Sequence, residues 1–175
     1  VDLEGFATNI AMLRLWLSLA VDAPKPEPLP NLDFNIETGD SLLAPNPRSY
    51  QMDLLSPMIL LQADLLAVKK EKYLSSKGAM VSKLRKEIKI EEQEILLKLP
   101  RQNRNVSSID FRVHFASVFT SNLGFDIVLA NPPYINSRLM ARTNRTVRDS
   151  IASSYEWPIG SWDIYIAFIE LGFRI

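Results

Sequence analysis

Residues 126–136 read DIVLANPPYIN, an apolar run from Ile127 to Ala130 set directly against Asn131, Pro132, Pro133 and Tyr134. A short apolar run bounded by turn residues suits a strand buried on both faces. Proline has no N–H to give a ladder, so two in succession end such a strand. The stretch predicts a buried strand that stops at Asn131 and presents there an amide, a restrained carbonyl and an aromatic ring.

Working outward, FRVHFASVF (111–119) leads into a turn at Asn122 to Gly124, and SWDIYIAFIELGFRI (161–175) reads as a helix with Ile164, Phe168 and Leu171 on one side. Near the start, Phe6, Ile10, Leu13 and Leu17 recur at helical spacing over residues 4–22. Met12, Leu15, Trp16 and Leu19 widen that stripe, which predicts a helix buried on most sides. APKPEPLPNLD (23–33) holds four prolines and reads as an extended connector. A short strand is expected from Phe34 to Glu37, ended by Gly39 and Asp40. From about 51 to 100 leucine mixes with lysine and glutamate in two parts split by SSKGA (75–79). This predicts a helical hairpin inserted in the domain, its charges forming a solvated face.

Strand, helix, strand, helices, strand, helix is the rhythm of an α/β fold with a parallel sheet. Ligands of such sheets sit beyond the carboxyl ends of the strands, where Asp2, Asp40 and Asn131 all fall.

A chain of 175 residues, 47% hydrophobic and 23% charged, is sized and composed as one globular domain and not as a disordered segment. It has no cysteine, which excludes disulfides, thiolate metal sites and cysteine nucleophiles, and fits a reducing compartment; a cytoplasmic location is the expectation. His114 is the only histidine, so no metal site is expected. The apolar run IAMLRLWLSLAV (10–21) is interrupted by Arg14 and too short for a bilayer, and no membrane partner is expected. With formal net charge zero, attraction to phosphate must come from local patches. The chain starts at Val1 and stops at Ile175 inside an apolar run, so the expectation is a piece of a longer polypeptide.

The chemistry concentrates at the tetrad. The Asn131 amide oxygen and the Pro132 carbonyl, its direction restrained by Pro133, are two acceptors held together. They suit a nitrogen with two N–H donors. Such a nitrogen is a poor nucleophile because its lone pair is delocalised; accepting both hydrogens in directed bonds favours a pyramidal nitrogen that can attack an electrophilic methyl in line. Tyr134 adds a flat face for stacking on an unpaired base. No general base is required, since the proton can leave after the cationic product forms.

An Asn-Pro-Pro-aromatic tetrad after a strand resembles the signature of the amino-group methyltransferases that use S-adenosylmethionine. VDLEGFATNIAMLRLWLSL (1–19), EPLPNLDFNIETGDSLL (27–43), FRVHFASVFTSNLGFDIVLANPPYI (111–135) and DIYIAFIE (163–170) together resemble the adenine-specific DNA methyltransferase region of bacterial restriction-modification enzymes of type IIG kind. The resemblance implies a partial Rossmann-like sheet, lacking its first strand and glycine-rich loop, with residues 1–175 a fragment of one catalytic domain. It implies S-adenosylmethionine as cofactor, with Asp2 on the ribose hydroxyls, Leu3 packed on the cofactor's adenine and Asp40 accepting from that adenine's amino group. Phe168 and Pro133 would close the pocket, a core role for Phe168 being equally open. Asn131, Pro132 and Tyr134 would grip a flipped adenine of double-stranded DNA. Arg138, Arg142, Arg145 and Arg148 could touch its phosphates or form a solvated surface.

The chain departs from that family in holding no GxG among its six glycines. The fragment alone is therefore expected to bind cofactor weakly and to be inactive, its activity belonging with the rest of a parent chain that supplies the cofactor loop, a target-recognition domain and, in some such polypeptides, a nuclease. Three alternatives stand beside this reading. A glutamine-amide protein methyltransferase needs the same two acceptors. A non-catalytic DNA-binding module could keep the tetrad as architecture. A hydrolase could use GDSL at 39–42, but the lipase-like family with that motif needs a histidine paired with an acid near its carboxyl end, and His114 is mid-chain with no fitting block.

Overall fold

The computed structural model describes residues 1–23, 25, 29–48, 56–99, 109–121 and 124–175. Among them the chain forms eight helices: α1 (Gly5–Asp22), α2 (Ser56–Ser75), α3 (Ala79–Lys98), α4 (Phe111–His114), α5 (Ala116–Ser121), α6 (Ser137–Thr143), α7 (Arg145–Ser154) and α8 (Ile164–Arg174). The expected α/β architecture is overturned. In place of a partial Rossmann-like sheet, the described residues hold only two isolated bridges, a parallel one between Asp2 and Thr38 and an antiparallel one between Asn136 and Asp163.

The reasons are local. Phe34 takes φ 68°, which turns the chain where a strand was expected. Residues 126–130 lie outside any helix or strand, and their neighbour is α8 and not a second strand, so no ladder forms. The turn expected at Asn122 to Gly124 lies partly outside the described residues, as does part of the proline-rich connector.

α1 also departs from expectation. It is a helix, but only Thr8 is buried, and Phe6, Leu13, Leu17 and Val21 face solvent. The apolar spacing specified helix without specifying a cover for its face. Thr8 Oγ1 meets Thr38 Oγ1 at 2.8 Å and Trp16 Nε1 donates to the Pro30 carbonyl at 2.9 Å, tying α1 to the segment after it.

Two apolar cores hold the rest. In one, Leu66, Ala67 and Tyr73 of α2 meet Leu84, Ile88 and Ile95 of α3, with Phe34, Val113 and Ala116 against them. In the other, Ile164, Ala167 and Leu171 of α8 meet Leu42, Phe111, Phe119, Met140, Ile151 and Tyr155. Tyr155 joins the 40–44 segment to this second core by donating its hydroxyl to the Leu42 carbonyl at 2.9 Å.

The hairpin's charges do not all form a solvated face. Lys70 and Glu92 turn inward, with only 4% and 8% of each residue exposed. The Lys70 ammonium lies 2.6 Å from Glu92 Oε1 and donates to the carbonyls of Val113 at 3.1 Å and His114 at 2.5 Å. One cation thus pins α2, α3 and α4 together. Glu37 lies in the same field. Its carboxyl is raised above the ordinary value, first by burial and then by Glu92, against the lowering pull of His114, Lys70 and Lys89.

Candidate active site

The tetrad belongs to a segment fastened at both ends to α8. At one end the Phe125 N–H donates to the Ile175 carbonyl at 2.8 Å. At the other, the Ile164 N–H donates to the Ile135 carbonyl at 2.9 Å, and the Ser137 N–H to the Trp162 carbonyl at 2.7 Å. Trp162 N–H returns a bond to Ser137 Oγ at 3.1 Å. The segment therefore runs antiparallel to the helix. Gly124 has φ 156° and could not be replaced cheaply, since a Cβ there would lie 2.3 Å from the Ile175 carbonyl oxygen.

The two chains between these anchors differ in length. From Ile164 to Ile175 a helix rises about 17 Å at 1.5 Å per residue. From Phe125 to Ile135 an extended chain reaches about 33 Å. The segment must bow away from the helix, and beneath the bow lies a groove of about 670 Å³.

The groove's walls follow the two periodicities. Alternate residues Asp126, Val128, Ala130, Pro132 and Tyr134 line it from the segment. Tyr165, Phe168, Ile169, Gly172 and Phe173, one stripe of α8, line it from below. The other alternate set looks outward, with Ile127 78% and Leu129 91% exposed. Of the sequence-derived site residues, Pro132, Tyr134 and Phe168 meet in the groove, while Asn131, Pro133, Asp2, Leu3 and Asp40 are not among its lining.

Asn131 and Pro133 are exposed, and neither the Asn131 amide nor the Pro132 carbonyl takes a hydrogen bond from the described residues. Both acceptors are free for a ligand. Tyr134 is 89% exposed, so its ring face is open.

Asp2 and Asp40 come together at another place. The Gly39 N–H donates to the Asp2 carbonyl at 2.8 Å, and the Asp2 N–H to the Glu37 carbonyl at 3.3 Å. Asp2 Oδ1 accepts the Glu4 N–H at 2.9 Å, and Asp40 Oδ1 accepts those of Leu42 at 2.9 Å and Leu43 at 3.1 Å. In each carboxylate Oδ2 takes no bond from the described residues. Two acids with an open oxygen each fit hydroxyl and amine donors such as a nucleoside carries. Leu3 beside them is exposed.

The four arginines lie on two short helices. Asn136 caps α6 by accepting from the Leu139 N–H at 2.8 Å, and Asn144 caps α7 by accepting from the Val147 N–H at 3.2 Å. Arg148 pairs with Asp149 at 2.8 Å and Arg145 with the same acid at 3.5 Å. Their charge holds the Asp149 carboxyl below its usual range, the Arg148 hydrogen bond contributing most. Arg138 and Arg142, one turn apart on α6, are exposed and have no acid partner among the described residues.

Sequence reasoning missed Glu170. It is 4% exposed on α8 and its carboxylate accepts the N–H groups of Glu156, at 3.0 Å to either oxygen, and of Trp157 at 2.7 Å, while pairing with Arg174. Burial alone would push its carboxyl up, but those N–H bonds and the Arg174 charge outweigh burial and hold it below the usual range. The available signal was one acid inside the otherwise apolar IYIAFIELGF (164–173). His114, by contrast, is held within its own turn, Nδ1 lying 2.9 Å from the Asp110 carbonyl oxygen.

Among the described residues no cluster of side chains could hold a metal ion, and no helix is long and apolar enough to cross a membrane. All of residues 1–175 match the profile of a family described as Eco57I restriction-modification methylase. Searches of curated proteins and of solved structures returned no match.

Proposed function

The chain belongs to the Eco57I restriction-modification methylase family, and from that premise we propose that it transfers a methyl group from S-adenosylmethionine to the exocyclic amino group of an adenine rotated out of double-stranded DNA. The observation that carries the reading is the pair of unpartnered acceptors, Asn131 Oδ1 and the Pro132 carbonyl, next to the exposed ring of Tyr134. Asn131 and Pro132 accept the two N–H groups of the target amine, and Tyr134 stacks on the base that carries it. Holding both hydrogens out of the ring plane directs the nitrogen lone pair at the incoming methyl; the surplus proton then passes to water.

S-adenosylmethionine, when bound, supplies the electrophilic methyl. Asp2 would take its ribose hydroxyls and Asp40 its adenine amine, with Leu3 as the apolar contact beside them, while Phe168 lies in the groove with Pro132 and Tyr134. Arg138 and Arg142 support DNA as the acceptor, because exposed cations without an acid partner suit phosphate. Arg145 and Arg148 are the weaker contacts, since Asp149 already neutralises part of their charge.

The test is Asn131→Ala in the full-length enzyme, assayed for labelled methyl transfer to duplex DNA and separately for DNA binding. Methylation is expected to fall at least about a hundredfold while binding changes little, in line with the loss of a directed polar contact to the reacting group. Wild-type methylation by the variant would reject the assignment.

A further inference from the structure

The turn after α7, YEWPIG (155–160), has more fixed backbone than a surface loop needs. The Trp157 N–H is bonded to Glu170, and its carbonyl accepts the Ile159 N–H at 2.8 Å around Pro158. Pro158 itself confines Trp157 to extended backbone. Arg174 completes the clamp: its guanidinium donates to the Ser154 carbonyl at 2.8 Å and lies over the Tyr155 ring, 4.5 Å from the centroid. Water could satisfy these N–H groups at a surface without the desolvation cost that a buried carboxylate carries. What the carboxylate adds is a fixed direction for the side chain that follows.

That side chain is an indole left 48% exposed, whose Nε1–H donates to no described residue. Its ring packs at 5.5 Å between centroids on Phe173, a wall of the groove that also holds Pro132 and Tyr134. α7, with Arg145 and Arg148, ends immediately before the turn. An aromatic face on fixed backbone, in the turn that follows the arginine-bearing helix and continuous with a groove, matches how single-stranded nucleic acid is held.

We propose that Trp157 is a stacking residue for an unstacked DNA base beside the target nucleotide, and that Glu170 is the positioning residue that aims it; the assignment rests on the DNA reading above. The base stacks on the exposed indole face, and the free indole N–H is available to a base or phosphate acceptor.

The experiment uses the full-length enzyme with Trp157→Ala, Trp157→Phe and Glu170→Gln. Trp157→Ala is expected to raise KM for DNA about five- to a hundredfold, with a smaller effect on kcat. Trp157→Phe, which keeps a ring, recovers most of that loss, and Glu170→Gln falls between. A short single-stranded oligodeoxynucleotide should quench the tryptophan emission of the wild-type enzyme, and Trp157→Phe should remove that quench. Unchanged KM in Trp157→Ala, or an undiminished quench in Trp157→Phe, overturns the proposal. Should the enzyme fail to methylate DNA while the quench still depends on Trp157, the methylation reading has failed and the stacking assignment stands.

Discussion

Replacing Lys70 by methionine should be among the most damaging single changes to the helical hairpin. The ammonium neutralises Glu92, which is 8% exposed, and supplies donors to two carbonyls of α4. Glu92 Oε1 takes no aligned hydrogen bond, so its stabilisation is the charge of Lys70 at 2.6 Å. Methionine keeps the length and apolar stem of lysine but leaves that carboxylate buried without a counter-charge, a loss of about 3–5 kcal/mol. With a urea dependence of about 2 kcal/mol per molar, the midpoint of unfolding followed by helical circular dichroism falls by about 1.5–2.5 M. The double change Lys70→Met with Glu92→Leu removes both charges, and buried pairs replaced by apolar residues of similar size are often neutral or better. It should recover most of the loss. A single variant that loses less than about 1 kcal/mol, or a double variant no more stable than the single, would refute the reasoning that the ion pair ties the hairpin to α4.

Other outcomes follow from the same contacts. Glu170 binds its proton less tightly folded than unfolded, so its contribution is present above the ordinary carboxylate range and is lost as pH falls through its lowered folded value. The gap in Tm between wild type and Glu170→Gln should therefore be widest near neutral pH and narrow in acid; a constant gap contradicts this. Glu37 has the opposite sign: its raised value means the ionised form opposes folding, and that penalty disappears as pH falls toward 4.5. Glu37→Gln should stabilise the protein near neutral pH and lose that advantage in acid, as read from the same Tm series. Arg138→Ala and Arg142→Ala should each reduce the slope of log affinity for DNA against log salt by about 0.9, measured by fluorescence anisotropy; slopes equal to wild type would remove them from the DNA contact.

The chemistry the tetrad offers was legible in the sequence because it is local. Asn131 to Tyr134 carry their acceptors and ring wherever the segment lies, and two prolines fix the backbone without outside help. The sheet was not legible in the same way. Ile127 to Ala130 form no strand, because a ladder requires a second extended segment, and nothing in these residues specifies one. α1 shows the same division, since spacing of apolar residues decides that a helix forms and not what covers it. In the hairpin, a composition rich in lysine and glutamate hid one pair that faces inward. Which turn of α2 meets α3 and α4 is set by Leu66, Tyr73, Ile88 and Val113 packing together, and Lys70 falls inside that seam. Trp157 left no motif, because the contact that fixes its backbone comes from a carboxylate 13 residues away on α8.

The tetrad makes no hydrogen bonds of its own within the described residues, so its position depends on how the segment is hung. The segment's contour exceeds the helical distance between its anchors by roughly twofold; the excess bows part of it off α8 and leaves room for the groove, while Val128 still lies against Gly172. Shortening it would flatten the bow and close the groove; loosening either anchor would let the acceptors wander. The alternation of an extended chain then divides the labour, with Pro132 and Tyr134 on the groove side and Asn131 on the outward set. Residues that line the groove can thus be changed without touching the amide, and the amide without changing the groove. The Ile135 carbonyl and the Ser137 side chain, bonded to Trp162 and Ile164, hold the tetrad's end against the start of α8, the helix whose Glu170 sets the turn bearing Trp157. One helix therefore anchors both the segment that carries the tetrad and the turn that carries Trp157.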